Sequence, residues 1–395
     1  MIYRRFGRTG LRMPVLSFGC MRSMQSWQDV SPAEISDSSQ SNLQAIVDAA
    51  LGHGINHIET AHGYGSSEQQ LGLILPQLDR SAYILQTKVV PGRDPEEFVA
   101  KVKTSLQRLR VDRLDLLGLH GINDHRSLWH CCRKHGCLEA ARKLQDQRLV
   151  DHIGFSAHGP AEVILEALSF TEYGGFDYAN LHWYYILDAN RRAVEYAADN
   201  DIGVFIISPN DKGGQLHTPP RKLQRLCEPF SPMLFNDLYC LDQPGVCTIS
   251  VGASLPHHFD EHLKVLDWLA HSDRKAFFTA DRRLKQEMRK ATGFDRPDHL
   301  WDALPGWDAF PGNINARMVV WLVNLYRAWG MKRYAKERYA MLNRGSTWVP
   351  GNDGARAEAL DLSEISLPET FTPDRLRQML TKAHALLRKE GEPRS

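Results

Sequence analysis

A chain of 395 residues exceeds the size at which one hydrophobic core usually stops growing, so a single large domain with an appendage is the natural division. The formal net charge is +1 and the charged residues are interspersed, which argues against a nucleic-acid groove or a polybasic membrane face. No run of about 18 apolar residues suggests a membrane span, Arg4-Arg5-Phe6 lacks the apolar stretch a twin-arginine signal needs, and the seven cysteines have no framework spacing, so reduced thiols and a cytoplasmic location are expected.

In chain order, Tyr3 to Gly19 reads as two short strands around the turn residues Thr9-Gly10, followed by a third apolar run. Strand-like runs then recur: counting that third one they lie near residues 15–18, 55–60, 83–88, 113–119, 151–155, 177–181, 202–207 and 246–251. Helix-period stretches separate them, among them Asn42 to Gly54, Pro95 to Leu109, Leu138 to Gln147, Ala161 to Ser169 and Asn190 to Asn200. Eight short apolar strands, suited to burial on both faces and alternating with helices, predict an α/β fold of the eight-stranded parallel (β/α)8 barrel type. A doubly wound sheet fits less well, because no Gly-x-Gly-x-x-Gly follows the first strand. The barrel pattern ends near residue 271, so the expected division is a barrel at 1–271 and a helical C-terminal extension at 272–395.

The densest chemistry lies where strands give way to loops. Glu59 and Tyr64 follow the second apolar run, Lys88 closes the third and His120 the fourth. In a parallel barrel the strand C-termini converge on one face, so a carboxylate, a phenol, an ammonium and an imidazole far apart in the chain can meet there. A phenol is a poor acid at neutral pH unless a nearby cation favours phenolate, and a carboxylate that holds the lysine fixes that cation in place.

At these residues the chain resembles the aldo-keto reductases, whose catalytic group is Asp, Tyr, Lys and His, the first two in a motif close to D-T-A-x-x-Y-G-x-S-E. Here the segment reads Glu59-Thr60-Ala61-His62-Gly63-Tyr64-Gly65-Ser66-Ser67-Glu68, with Glu59 in place of Asp. The resemblance implies hydride transfer between NAD(P)H and a small-molecule carbonyl or alcohol, with Glu59, Tyr64, Lys88 and His120 as the catalytic group. A contact between Glu59 and Lys88 is expected to survive the extra methylene. The N-terminal hairpin resembles the one that closes the barrel bottom in this family.

The same resemblance assigns cofactor contacts. Ser156, in Gly154-Phe155-Ser156-Ala157-His158, falls where the family binds the nicotinamide carboxamide, although a serine after a strand is equally a turn former. Asn180 stands where the family has a glutamine on that same carboxamide and keeps both donor and acceptor on a shorter side chain. Trp183, Tyr184 and Tyr185 wall the substrate pocket or fill the core, the core being expected for two of the three. Ser208, Lys212 and Gly213 match the loop around the pyrophosphate, where glycines let backbone N–H groups approach phosphate. Gly252, Ser254, Glu261 and His262 match the segment at the adenosine end. That loop lacks the arginine with which many relatives grip a 2′-phosphate, so NADP is the family expectation and NAD the alternative.

His130-Cys131-Cys132-Arg133-Lys134-His135-Gly136-Cys137 gathers metal-ligand types, but no second pair follows at zinc-site spacing and no metal is expected. Beyond the barrel, Arg274 to Ala291 reads as a charged amphipathic helix. Arg317 to Asn343 and Thr347-Trp348-Val349-Pro350-Gly351-Asn352 resemble the end of a ferredoxin-like tail carried by one branch of the family, yet no cysteine follows Cys247. An iron–sulfur cluster needs thiolates, so the tail is expected to fold without one, on a core built from Trp301, Trp307, Phe310, Trp321, Tyr326, Trp329, Tyr334, Tyr339 and Trp348. Residues 352–370 read as a polar surface connection, and Thr372-Pro373-Asp374 starts a last helix with a basic end. Two further readings stand beside the reductase: a cofactor-binding regulatory or sensor protein with little turnover, and a barrel scaffold whose extension docks a protein partner.

Overall fold

The computed structural model describes residues 1–271, 273–367 and 371–388. Strands β1 (Tyr3–Arg5) and β2 (Arg12–Pro14) pair antiparallel, with Tyr3 opposite Pro14. Each of the eight apolar runs is a strand of a closed parallel barrel: β3 (Leu16–Gly19), β4 (His57–Glu59), β5 (Ile84–Val89), β6 (Leu114–His120), β7 (Val150–Ala157), β8 (Tyr178–Leu181), β9 (Gly203–Ile206) and β10 (Val246–Val251). The ring runs β10-β3-β4-β5-β6-β7-β8-β9, so the first and last strands meet through Leu16 and Ile249. Burial on both faces explains the unbroken apolar runs, since β5 and β10 have no exposed residue.

The hairpin supplies the lower plug. Phe6 and Met13 are fully buried in a cluster with Ile84, Leu116, Tyr178 and Phe205, and the Phe6 ring lies 5.5 Å from that of Tyr178. Above that plug the barrel centre is polar. His57 Nδ1 sits 2.7 Å from Ser17 Oγ, Ser17 Oγ sits 2.6 Å from Thr248 Oγ1, and Gln86 Nε2 donates to Tyr178 Oη at 3.3 Å. Burial pushes the His57 imidazole down to about 3, so it is neutral and serves as a hydrogen-bonding strut.

The chain divides into two compact units. The first comprises Met1–Trp183, Asn190–Pro209 and Asn236–Ser272 and contains the whole barrel. The second comprises Tyr184–Ala189, Asn210–Phe235 and Asp273–Ser395, so it takes in two segments from loops after β8 and β9 as well as the C-terminal residues. Its helices include Lys275–Thr292, Ala316–Trp329, Lys332–Tyr339 and Pro373–Leu387. The stretch expected to be helical from Arg317 to Asn343 is broken at Gly330, whose φ of +73° ends the first helix in a left-handed cap.

Helix Ala316–Trp329 forms the centre of this unit. Trp321 and Trp329 are buried and anchored through their indoles, Trp321 Nε1 donating to the Ile186 carbonyl at 2.5 Å and Trp329 Nε1 to the Leu284 carbonyl at 3.1 Å. Phe310, Tyr334 and Tyr339 are buried too, whereas Trp307 is 39% exposed and so adds less to the core than its size suggests. The last helix starts as expected, Thr372 Oγ1 accepting from the Arg375 N–H at 3.2 Å. Its basic end from residue 389 lies outside the described residues, as do positions 368–370 of the polar connection. No described helix is long and apolar enough to cross a membrane.

Candidate active site

Strand alternation and barrel register bring the predicted side chains together. Glu59 pairs across β4 with Gln86, Lys88 with Gly118, and His120, Ser156 and Asn180 form one continuous rung over β6, β7 and β8. Glu59 and Lys88 are 4% and 1% exposed and form an ion pair through Oε1 and Nζ. Lys88 Nζ also donates to the Thr60 carbonyl at 2.7 Å. Gly118 makes room for this arrangement, since a Cβ there would lie 2.9 Å from Lys88 Cγ. Burial pulls the Lys88 ammonium down, to about 7, and it does so beside a carboxylate, the partner that favours its charged form.

Tyr64 lies just past β4 with its ring among cations and aromatics. Lys88 Nζ is 4.7 Å from its ring centre, the His120 ring stands edge-on at 5.8 Å, and Trp27 stands edge-on at 6.4 Å. Burial pushes the Tyr64 phenol upward from its ordinary value. The phenol is thus raised rather than lowered, because desolvation penalises the phenolate.

The other polar residues of the motif are scaffolding. Thr60 Oγ1 meets Ser67 Oγ at 2.8 Å, and Thr87 Oγ1 donates to Glu68 Oε1 at 2.6 Å, tying the turn to β5. Ser66 N–H donates to the Ser26 carbonyl and Ser26 N–H to Ser66 Oγ, both at 3.0 Å. Gly65 permits that close seam: its φ is +44°, and a Cβ would lie 2.0 Å from Ser26 O. The seam fixes Trp27, which is 65% exposed, beside Tyr64. No periodicity marks Trp27 in the sequence, and only the fold assigns it to this mouth.

Among the expected cofactor contacts, Asn180 gives the clearest signal. It is fully buried, yet neither Oδ1 nor Nδ2 has a hydrogen-bond partner, and a buried amide left this way costs about 1–3 kcal/mol. Ser156 Oγ accepts from the Gly121 N–H at 3.1 Å and keeps its own proton to donate. An orphaned amide beside a hydroxyl donor matches the donor and acceptor of a carboxamide, so these two residues fit a nicotinamide. Ser208, two residues past β9, has a φ of +52°, a strained conformation for a residue with a side chain.

The remaining predicted residues are placed differently. Ser254 N–H and Oγ lie 3.3 and 3.4 Å from His258 Nδ1, and Gly252 lies under the stem of Arg22, whose Cδ is 2.9 Å from where a Cβ would be. Arg22, from the loop after β3, is a cation that the sequence of the adenosine segment does not reveal. Glu261 pairs with Lys264 at 2.5 Å, and His262 is buried with Nδ1 2.5 Å from Asp237 Oδ2, an inward, structural placement. Lys212 and Gly213 belong to the second unit. There the Lys212 ammonium lies 4.8 Å from the Trp348 ring centre, its carbonyl accepts from Tyr334 Oη, and Arg338 covers Trp348 at 4.4 Å while pairing with Asp211 at 3.0 Å.

Trp183 and Tyr184 are core, at 1% and 0% exposure, and the half-buried Tyr185 packs on Phe235 and Trp329. Cys131 and Cys137 are buried free thiols, and no metal-holding group of three or more His, Cys, Asp or Glu occurs among the described residues.

A model of the aldo/keto reductase family matches residues 15–223. The chain is 25% identical over 328 residues to an uncharacterized oxidoreductase, YqkF, of Bacillus subtilis, a match covering 73% of this chain and 98% of that protein. It is 28% identical over 132 residues to a probable voltage-gated potassium channel subunit beta of Arabidopsis thaliana, covering 30% of this chain and 37% of the plant protein. Among solved structures, the holo form of an aldo-keto reductase from Bacillus halodurans superposes with a TM-score of 0.57 at 22% identity, over 72% of this chain and 96% of that one, a likeness of fold.

Proposed function

Since the chain belongs to the aldo/keto reductase family, we propose that it is an NADPH-dependent reductase that converts an aldehyde, ketone or quinone to the alcohol, with Tyr64 as the general acid. When bound, the nicotinamide supplies hydride to the carbonyl carbon. Tyr64 donates its proton to the carbonyl oxygen, and burial keeps that phenol protonated until the substrate's own developing charge draws the proton away. Lys88 stabilises the phenolate left behind, Glu59 keeps Lys88 charged, and His120, edge-on to Tyr64, orients the oxygen. Asn180 and Ser156 hold the carboxamide, and Ser208, Gly252, Ser254 and Glu261 serve the phosphates and the adenosine. Arg22 beside Gly252 favours NADP over NAD, as a cation for a 2′-phosphate.

The observation that carries this reading is the buried Glu59–Lys88 pair against the face of Tyr64, a costly arrangement for structure alone. In this reading residues 1–271 carry the chemistry and 272–395 form a helical module without an iron–sulfur cluster, having no cysteine to ligate one. The test is NADPH consumption over an aldehyde and quinone panel together with a cofactor-fluorescence titration. Tyr64→Phe should lower turnover by about a hundredfold or more while leaving cofactor binding intact. Parental rates in that variant would overturn the assignment. The similarity to a protein named as a channel subunit motivates a second reading, a cofactor-binding regulator. Tight NADPH binding without turnover on any carbonyl would favour it.

A further inference from the structure

Gly19 ends β3 at the register position opposite Glu59 of β4, so the two share the inward side of the barrel. Its φ of −93° and ψ of 118° are extended values that any residue adopts, and the backbone there does not call for glycine. Space does. A Cβ on Gly19 would lie 2.5 Å from Ser250 Oγ and 3.2 Å from Glu59 Oε2, both closer than ordinary contact.

A barrel interior is a close-packed stack of side-chain layers, and the layer beneath is filled in the usual way. There β3 contributes Ser17, whose Oγ lies 2.7 Å from His57 Nδ1 of β4 and 2.6 Å from Thr248 Oγ1 of β10. In the layer of Glu59 the same strand contributes no side chain, and the glutamate's second oxygen and the Ser250 hydroxyl crowd into the room this leaves. The lysine has a matching arrangement on its other side, where Gly118 of β6 faces Lys88 in register. Each long side chain of the buried pair is thus backed by a glycine on the strand beyond it.

The length of residue 59 decides how much this matters. With Oε1 held by Lys88, a planar carboxylate has a fixed place for Oε2, so a methyl group that moves Oε2 also disturbs the Lys88 contact. An aspartate is one methylene shorter and keeps its oxygens nearer its own strand, where adjacent strands stand about 4.8 Å apart and a methyl group on the neighbour is ordinary packing.

We infer that Gly19 is a positioning residue that accommodates the length of Glu59: positions 19 and 59 act as a pair, and a side chain at 19 is compatible with the Lys88 contact only when 59 is aspartate. This rests on the reductase reading for what the Glu59–Lys88 contact does in turnover, and on the two close approaches at Gly19 for the pairing itself.

The test is a double-mutant cycle between Gly19→Ala and Glu59→Asp in the full-length protein, run on the parent and again on Ser250→Ala, where the hydroxyl that would also meet the new methyl group is gone. With NADPH and a reducible aldehyde, Gly19→Ala should lower kcat about five- to tenfold with Glu59 present, since a shift of a few tenths of an ångström approaches the tolerance of a preorganised site. The same change should cost about twofold or less with Asp at 59. Gly19→Ala should also move the alkaline limb of the kcat/KM profile to lower pH, and Glu59→Asp should restore it, a rescue that a merely structural role would not give. In the Ser250→Ala background the cofactor-free Tm should fall by about 3 °C or more for Gly19→Ala with Glu59, and by about 1 °C or less with Asp. Equal losses of kcat and Tm in the two backgrounds overturn the inference. If Gly19→Ala does not fold, recovery of the fold on adding Glu59→Asp supports the pairing, and no recovery in either background overturns it. If no carbonyl is reduced by any member, the reductase reading fails, while the Tm cycle still decides whether the two positions share the same space.

Discussion

Asn180 offers a test in which stability and function should move in opposite directions. Its side chain is fully buried at the rung it shares with Ser156, with both amide atoms unpartnered. Asn180→Leu keeps the branch at Cγ and replaces those atoms with methyl groups. Removing the orphaned amide should return about 1–3 kcal/mol, from which modest overpacking by the larger methyls is subtracted, leaving a net gain on the order of 1 kcal/mol. In a unit of this size that corresponds to a rise in Tm of roughly 2–4 °C, measured on the cofactor-free protein by urea and thermal unfolding. On the proposed function the same change deletes two hydrogen bonds to the carboxamide, so NADPH affinity in a fluorescence titration should fall about tenfold or more. Asn180→Gln keeps donor and acceptor and should bind NADPH within a few-fold of the parent. A leucine variant that is less stable than the parent and binds NADPH unchanged would refute the reasoning on both counts.

Glu59→Gln should lower kcat at least about tenfold and move the alkaline limb of the kcat/KM profile toward lower pH, because Lys88, already drawn down by burial, loses the charge that opposes its deprotonation. Glu59→Asp should remain within about tenfold of the parent, and equal profiles for Gln and Glu would sink the role given to the pair. In the second unit, Asp298 is buried, accepts from the Asp188 N–H at 2.5 Å, and is pushed up by desolvation from 3.8 to about 6. A folded-state pKa above the unfolded one stabilises at low pH. This contribution is fully present below about pH 4 and is lost as pH rises through 6, by up to about 3 kcal/mol. Asp298→Asn should flatten that fall in urea midpoints between pH 4 and 6, and an unaltered slope would show that another group titrates.

Eight apolar runs separated by helical stretches were enough to read the barrel, because strands buried on both faces leave a signal that needs no partner to interpret. Glu59, Tyr64, Lys88 and His120 were legible for a related reason: each follows or closes a strand, and strand ends in a parallel barrel share one face. The break at Gly330 was less visible, since one glycine within a periodic stretch is an ambiguous signal until its φ is known. His262 shows the limit more sharply. Its place in the adenosine segment suggests a cofactor contact, whereas its partner Asp237, 25 residues away, is one that segment does not show.

Trp27 and Arg22 join the site through distances between separate loops and strands, as do the unpartnered amide of Asn180 and the polar layer around His57. The balance at Tyr64 is likewise tertiary. Residue types proposed a cation that lowers its pKa, whereas the packing around the phenol decides that desolvation prevails. Periodicity and strand ends are properties of neighbours in the chain, so the sequence alone determined the barrel and the four residue types gathered at its mouth. Burial, orphaned polar atoms and ring contacts between separate strands are properties of neighbours in space, and the tertiary structure alone decided them.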